Sequence, residues 1–96
     1  MEKVNSKEYW DERFVSGDWD HYDGDLQSAF FSQIALDAFP AWLDRELARH
    51  EWTVFDVGCA EGGGTATLAR RFPSCHTIGI DVSEAAMKQA EKKYPF

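Results

Sequence analysis

The chain has 96 residues and a formal net charge of −7, from 17 acidic residues against 10 lysines and arginines. This length fits one small domain, and contents of 44% hydrophobic and 15% aromatic residues are too high for a disordered tail. The acidic balance argues against nucleic acid and anionic lipid as partners, and no apolar run approaches the ~20 residues that cross a bilayer.

The front half, residues 1–50, is predicted to be helical. Asn5, with Glu8 three positions later, forms a capping-box pattern that predicts a short helix ending at Gly17, followed by an exposed loop over residues 17–24. The next predicted helix carries apolar residues at helical spacing, and Pro40 separates it from a third helix. We expect the apolar residues of both helices to pack in the core. In the helix before Pro40 these are Leu26, Phe30, Ile34 and Ala38, with Phe31, Ala35 and Phe39 beside them. In the helix after Pro40 they are Trp42, Leu43 and Leu47.

The back half, residues 51–96, is predicted to form a βαβα unit. A short β-branched run at residues 53–57 predicts a buried strand, and a glycine-rich turn follows at residues 58–64. A helix over residues 65–72, a strand over residues 77–80 and a last helix from 84 to about 94, capped by Ser83, complete the unit. Both halves are therefore expected to belong to a single α/β domain.

The turn sequence Asp-Val-Gly-Cys-Ala-Glu-Gly-Gly-Gly, residues 56–64, is the first candidate binding element. Glycines between a strand and a helix let the backbone turn sharply and let a ligand approach closely. Asp81, at the end of the second strand and 23 positions after Gly58, is the second element. A carboxylate there is placed to accept hydrogen bonds from both hydroxyls of a ribose. Together these elements indicate a nucleoside-bearing ligand over the carboxyl ends of two parallel strands.

The segment from Val54 to Gly62 resembles motif I of the class I S-adenosylmethionine-dependent methyltransferases, and residues 78–83 resemble the second-strand segment of that family. The opening residues Tyr-Trp-Asp-Glu-Arg-Phe, 9–14, are similar to the first helix of many members that act on small molecules. The resemblance implies a Rossmann-like class I fold and S-adenosyl-L-methionine as the methyl donor. Ala60 stands where glycine is the commonest residue of the family pattern.

The same resemblance implies a role for each matching residue. The methionine moiety would lie on Asp56, Gly58 and the backbone through Ala60 to Gly62, with the Gly58 carbonyl facing its ammonium. Cys59 would pack beside the ligand. Asp81 would hold the ribose hydroxyls, and Val82 would lie against the adenine. No residue is assigned as a catalytic base, and the expected acceptor is a small molecule or a sugar.

Three other interpretations remain open at this point. Gly58, Ala60 and Gly63 nearly fit the fingerprint of NAD(P)-binding oxidoreductases, although Asp56 suits a cationic amine better than a pyrophosphate. A non-catalytic nucleoside-binding module is the second alternative, and in the third, a purely structural interpretation, Asp81 would only precede a helix cap.

The remaining expectations concern metals, redox state and association. His21, His50 and His76 show no metal spacing with Cys59 and Cys75, and a polar start with only two cysteines suggests reduced thiols in a cytoplasm. The family fold has more strands than the two predicted here, so we expect a truncated domain that is part of a longer enzyme. By itself this domain is expected to bind the donor weakly or not at all, and to be inactive. A two-stranded sheet with open edges predicts self-association of the chain.

Overall fold

The computed structural model of the chain describes residues 4–94. The first three residues of the polar start lie outside the described residues. Pro95 and Phe96 lie outside them as well.

From residue 4 onward, the front half contains four helices: α1 (Lys7–Val15), α2 (Asp18–His21), α3 (Gly24–Asp37) and α4 (Ala41–Arg49). The capping residue of α1 is Ser6, whose hydroxyl accepts a hydrogen bond from the Tyr9 amide at 3.2 Å, so the predicted cap at Asn5 is wrong. Helix α2 lies within the segment predicted as a loop. The helix has only four residues, two of them Asp, so it shows no helical periodicity from which it could be predicted.

The back half contains β1 (Thr53–Val57), α5 (Gly63–Arg71), β2 (His76–Ile80) and α6 (Glu84–Lys93). Strands β1 and β2 are parallel, with Phe55 opposite Ile78, and α5 makes the crossover between them. The predicted α/β class with one βαβα unit is confirmed. Helix α5 begins two residues before the predicted start, directly after Gly62, whose φ of 97° closes the turn.

The predicted core packing of α3 is wrong. Leu26, Phe30 and Ile34 are 74%, 62% and 49% exposed. The helix instead packs on α5 through the side that carries Asp25, Ser32 and Leu36, which recur at helical spacing. At Gly63 of α5, an added Cβ would lie 2.6 Å from the Asp25 carbonyl oxygen, so glycine is required for this close approach.

Strand β1 is only half-buried, which corrects the prediction of a buried strand. Burial alternates along it, with Val54 and Asp56 partly covered and Phe55 and Val57 exposed. Alternate residues of a strand point to opposite faces, so one face of the sheet is covered and the other is open. Trp42 of α4, also predicted to be in the core, is 63% exposed.

The buried residues form a small core at the junction of the two halves. Phe14 of α1 packs with Ala60 of the turn and Ala86 of α6, and this cluster joins the first helix to the last. Phe72, at the end of α5, stacks on Phe39 with ring centroids 6.4 Å apart. Within residues 4–94, no helix is long and apolar enough to cross a membrane.

Candidate functional site: a cleft over the carboxyl ends of the strands

A cleft of about 580 Å³ opens where β1 and β2 end. Its floor is formed by the ends of both strands and by the turns that follow them, and its front is formed by helices α1 and α2. Among the described residues that line the cleft, Asp81 has the single ionisable side chain, so the lining is apolar apart from one carboxyl group. The lining residues are Trp10, Phe14, Trp19, Val57, Gly58, Ala60, Ile80, Asp81 and Val82.

Gly58 exposes bare backbone to this cleft. Its φ is +80°, in the left-handed region, and a Cβ added there would meet no protein atom within 4 Å. Its amide donates a 2.7 Å hydrogen bond to the carbonyl of Ile80, which ties the turn to the end of β2. The position therefore offers a ligand both open space and an immobilised backbone.

Asp81 connects the two turns that border the cleft. One carboxylate oxygen accepts a 2.8 Å hydrogen bond from the Ala60 amide, and the other accepts a 2.9 Å bond from the Ser83 amide. Ala60 has a φ of +52°, a conformation in which glycine is the usual residue. The bond from Asp81 helps to hold it there. Each carboxylate oxygen has a second lone pair, so Asp81 retains the capacity to accept hydrogen bonds from a ligand.

The other predicted binding residues lie around or behind the turn. Asp56 accepts a 2.7 Å hydrogen bond from the hydroxyl of Thr65 in the first turn of α5. Cys59 and Gly62 line a second, smaller cavity of about 180 Å³ between the turn, β2 and α6. The structure thus brings Gly58, Ala60, Asp81 and Val82 together in the cleft lining, while Asp56, Cys59 and Gly62 do not line it.

Cys59 is buried, and its thiol has low reactivity. Burial, reinforced by the negative charges of Asp81 and Asp56, raises the pKa of its thiol to about 11. A thiol with so high a pKa is almost entirely protonated at neutral pH and is a poor nucleophile. Both cysteines are free thiols, and residues 4–94 contain no cluster of three or more His, Cys, Asp or Glu side chains suited to a metal ion.

The Glu61 side chain joins the glycine-rich turn to α6. This side chain is 1% exposed and forms an ion pair with Lys93 of α6, which also pairs with Asp20 of α2 at 2.9 Å. Burial lowers the pKa of Lys93, but its hydrogen bonds to Glu61 and Asp20 outweigh this effect and hold the pKa above its ordinary value. The sequence places Glu61 inside the motif, but its partner Lys93 lies 32 positions away.

The N-terminus of α5 is capped by a carboxylate from α3. Asp25 accepts a 2.8 Å hydrogen bond from the Gly63 amide through one oxygen, and a 2.7 Å bond from the Tyr94 hydroxyl through the other. Helix N-termini carry partial positive charge and attract anions. Here that charge faces an internal acid, a contact that the local sequence around the glycines does not reveal.

Helix α1 is fastened to the start of α6. Asp11 accepts a 2.6 Å hydrogen bond from the Ser83 hydroxyl and pairs with Lys7 at 2.6 Å. The hydrogen bonds from Lys7 and Ser83 lower the pKa of Asp11 to about 2. Because Ser83 follows Asp81 and Val82 directly, this bond ties the front of the cleft to the candidate ribose position.

Comparison with known proteins gives a match over the back half of the chain. Residues 54–95 match the family model described as a methyltransferase domain. The predicted resemblance to the class I methyltransferases is confirmed over this segment. All of the predicted binding residues fall within the methyltransferase-like segment, whereas helices α1 to α4 lie outside it.

Curated relatives that match include several trans-aconitate 2-methyltransferases. Those of Afipia carboxidovorans and an Acidovorax species are 43% identical over 42 residues, and that of Yersinia pestis is 40% identical over 42 residues. The matched segment covers 44% of this chain but only 16% of each relative. No solved structure matches the chain.

Proposed function

We propose that this chain carries the donor-binding part of an S-adenosylmethionine-dependent methyltransferase. The observation that carries the proposal is the coincidence of two independent results. The methyltransferase-like segment, 54–95, contains both turns bordering the cleft, and Gly58 and Asp81 both line this cleft directly after β1 and β2. Ligands of open α/β sheets bind at the carboxyl ends of the strands.

The residues present fit the donor. The open backbone at Gly58 leaves room for the methionine moiety along the turn, and Asp56 contributes negative charge near the end of β1. The free lone pairs of Asp81 suit the ribose hydroxyls, and the exposed side chain of Val82 suits the flat face of the adenine. The donor supplies an activated methyl group on a sulfonium. The chain supplies the binding and orientation on which in-line transfer depends.

The same geometry disfavours a dinucleotide. A pyrophosphate of NAD(P) normally takes the N-terminus of the helix after the glycine turn. In this chain the Gly63 amide at that helix end donates to Asp25, so a pyrophosphate would have to displace one carboxylate while approaching another at Asp56. Like charges at such short range oppose binding.

We propose a small molecule or a sugar as the methyl acceptor. The relatives are named for trans-aconitate, a small carboxylic acid, but the identity to them is confined to residues of the donor-binding segment. The similarity therefore supports a shared donor more strongly than a shared acceptor. The acidic net charge of −7 is consistent with an acceptor other than nucleic acid. We also propose a place in the cytoplasm, where the free thiols of Cys59 and Cys75 would stay reduced.

The donor proposal is tested by NMR titration of the ¹⁵N-labelled chain with S-adenosylhomocysteine and, separately, with NAD⁺, each to millimolar concentration. We expect S-adenosylhomocysteine to shift the amides of Gly58 to Gly62 and of Asp81 to Ser83, and NAD⁺ to leave them unchanged. Amide shifts with NAD⁺ alone would show that the cleft binds a dinucleotide, as in the oxidoreductases, and would refute the proposal. No shift with either ligand would refute donor binding by this chain.

We also propose that the chain self-associates through β1. Within residues 4–94 this strand pairs only with β2, and Phe55 and Val57 lie exposed on the open face. An unpaired strand edge beside apolar side chains is a template for a second copy. Sedimentation equilibrium over a wide concentration range should show dimers or larger species, and Val57→Lys should shift the chain toward monomer. A monomer at every concentration would overturn this proposal.

A further inference from the structure

Three aromatic side chains form the front of the cleft and are called here the aromatic wall: Trp10 and Phe14 of α1, and Trp19 of α2. The ring centroids of Trp10 and Trp19 are 6.3 Å apart at 82°, and those of Phe14 and Trp19 are 5.1 Å apart at 53°. Trp10 and Phe14 belong to the opening segment that resembles the first helix of many methyltransferases. All three aromatic residues lie outside the matched residues 54–95, so that match assigns the wall no role.

The wall is held in place by bonds to the rest of the site. Phe14 is 5% exposed and packs against Ala60 of the glycine-rich turn. The hydrogen bond from Ser83 to Asp11 fixes α1, and the ion pair between Lys93 and Asp20 fixes α2. A surface fixed in this way loses little side-chain entropy when a ligand binds.

The electrostatics of the cleft favour a cation in front of this wall. The faces of aromatic rings carry the negative part of the ring quadrupole and attract positive charge, most strongly where water is excluded. Of the lining residues that the structure describes, Asp81 alone has an ionisable side chain, and this side chain is acidic. The guanidinium of Arg13 lies 5.9 Å from the Trp10 ring centroid, but Arg13 lines a neighbouring cavity and not the cleft.

We propose that the aromatic wall binds the positively charged sulfonium of the methyl donor, so that the site distinguishes the donor from its uncharged thioether product. This inference rests on the proposed function and assigns the part of that site which lies outside residues 54–95. The wall makes a cation–π contact with the sulfonium and only a dispersion contact with the thioether. After transfer the methyl group and the positive charge have left the sulfur, so the wall favours exchange of product for fresh donor.

The test compares the Kd of S-adenosylmethionine with that of S-adenosylhomocysteine for each variant of the chain by the same NMR titration. In Trp10→Leu and Trp19→Leu we expect the ratio of the donor Kd to the product Kd to rise by about 3- to 30-fold, the range for a desolvated cation–π contact. Trp19→Phe retains a ring and should retain most of the preference. Trp42→Leu, at an exposed position outside the cleft, is the matched control and should leave the ratio unchanged.

A purely structural role for the wall would weaken both ligands equally and leave the ratio constant, which would overturn the inference. If the leucine variants do not fold, fluorinated tryptophans keep the shape of the ring while reducing its negative face. Donor affinity should then fall with each added fluorine while product affinity stays level, and parallel behaviour of the two ligands would overturn the inference. If neither ligand binds the wild-type chain, the proposed function itself fails, and the two failures are thereby distinguished.

Discussion

Gly58 offers a sharp test of the cleft because the chain contains a matched glycine elsewhere. Gly58 and Gly17 have nearly equal φ values, +80° and +84°, and an added Cβ would meet no protein atom within 4 Å at either position. Only Gly58 lines the cleft. Alanine at either site suffers the same backbone strain, about 1–2 kcal/mol, and regains ~0.4–1 kcal/mol from a less flexible unfolded chain.

We therefore expect Gly58→Ala and Gly17→Ala to lower the free energy of unfolding by the same amount, about 1 kcal/mol, or ~4–8 °C in Tm for a domain of this size. Binding should separate the two variants. The new methyl group of Gly58→Ala occupies the ligand side of the turn, and we expect a loss of at least tenfold in affinity for S-adenosylhomocysteine, about 1.4 kcal/mol. Thermal unfolding by circular dichroism and the NMR titration supply both numbers. Equal affinity in the two variants would refute the placement of the ligand at Gly58.

Three further predictions follow from individual side chains. Asp81→Ala should weaken binding of S-adenosylhomocysteine by about 1–3 kcal/mol, and unchanged affinity in titration would leave Asp81 with only its structural role. Asp11→Asn should be less stable than wild type above pH 3.8, and the difference should vanish as the pH falls to about 2, because the folded state lowers the pKa of this carboxylate; urea unfolding across this range measures it, and a difference independent of pH would contradict the cause. Iodoacetamide at neutral pH should alkylate Cys75 in the folded chain and spare buried Cys59, whose pKa is about 11, and equal labelling by mass spectrometry would show that the turn opens.

The sequence predicts those features that depend on neighbouring residues. Strand β1 has the predicted bounds because a β-branched run lies between polar turns, and Ser83 caps α6 because its hydroxyl accepts from the Ala86 amide three positions on. The glycine-rich turn and Asp81 can be predicted for the same reason, because each comes directly after the last residue of a strand in the sequence.

Features that depend on distant residues are not readable in this way. The periodicity of α3 correctly predicts a helix. The glycines at the start of α5, however, allow the polar side of α3 to pack against α5, and Phe30 of α3 is left exposed. Helix α2 has few local signals, and its position is set by the pairing of Asp20 with Lys93 and by the contact of Trp19 with Phe14. The aromatic wall therefore cannot be predicted from the sequence alone, because it depends on the placement of α1 and α2 over the cleft.

The bonds that fix the front of the cleft also determine when that front can form during folding. Asp11 and Ser83 are separated by 72 positions, and Asp20 and Lys93 by 73. Contacts between residues so far apart in sequence require the closure of long loops, which delays them relative to local helices and turns. Both contacts need α6 in place, so α1 and α2 can form as local helices before they are fixed over the cleft. The aromatic side of the cleft is therefore expected to close late in folding.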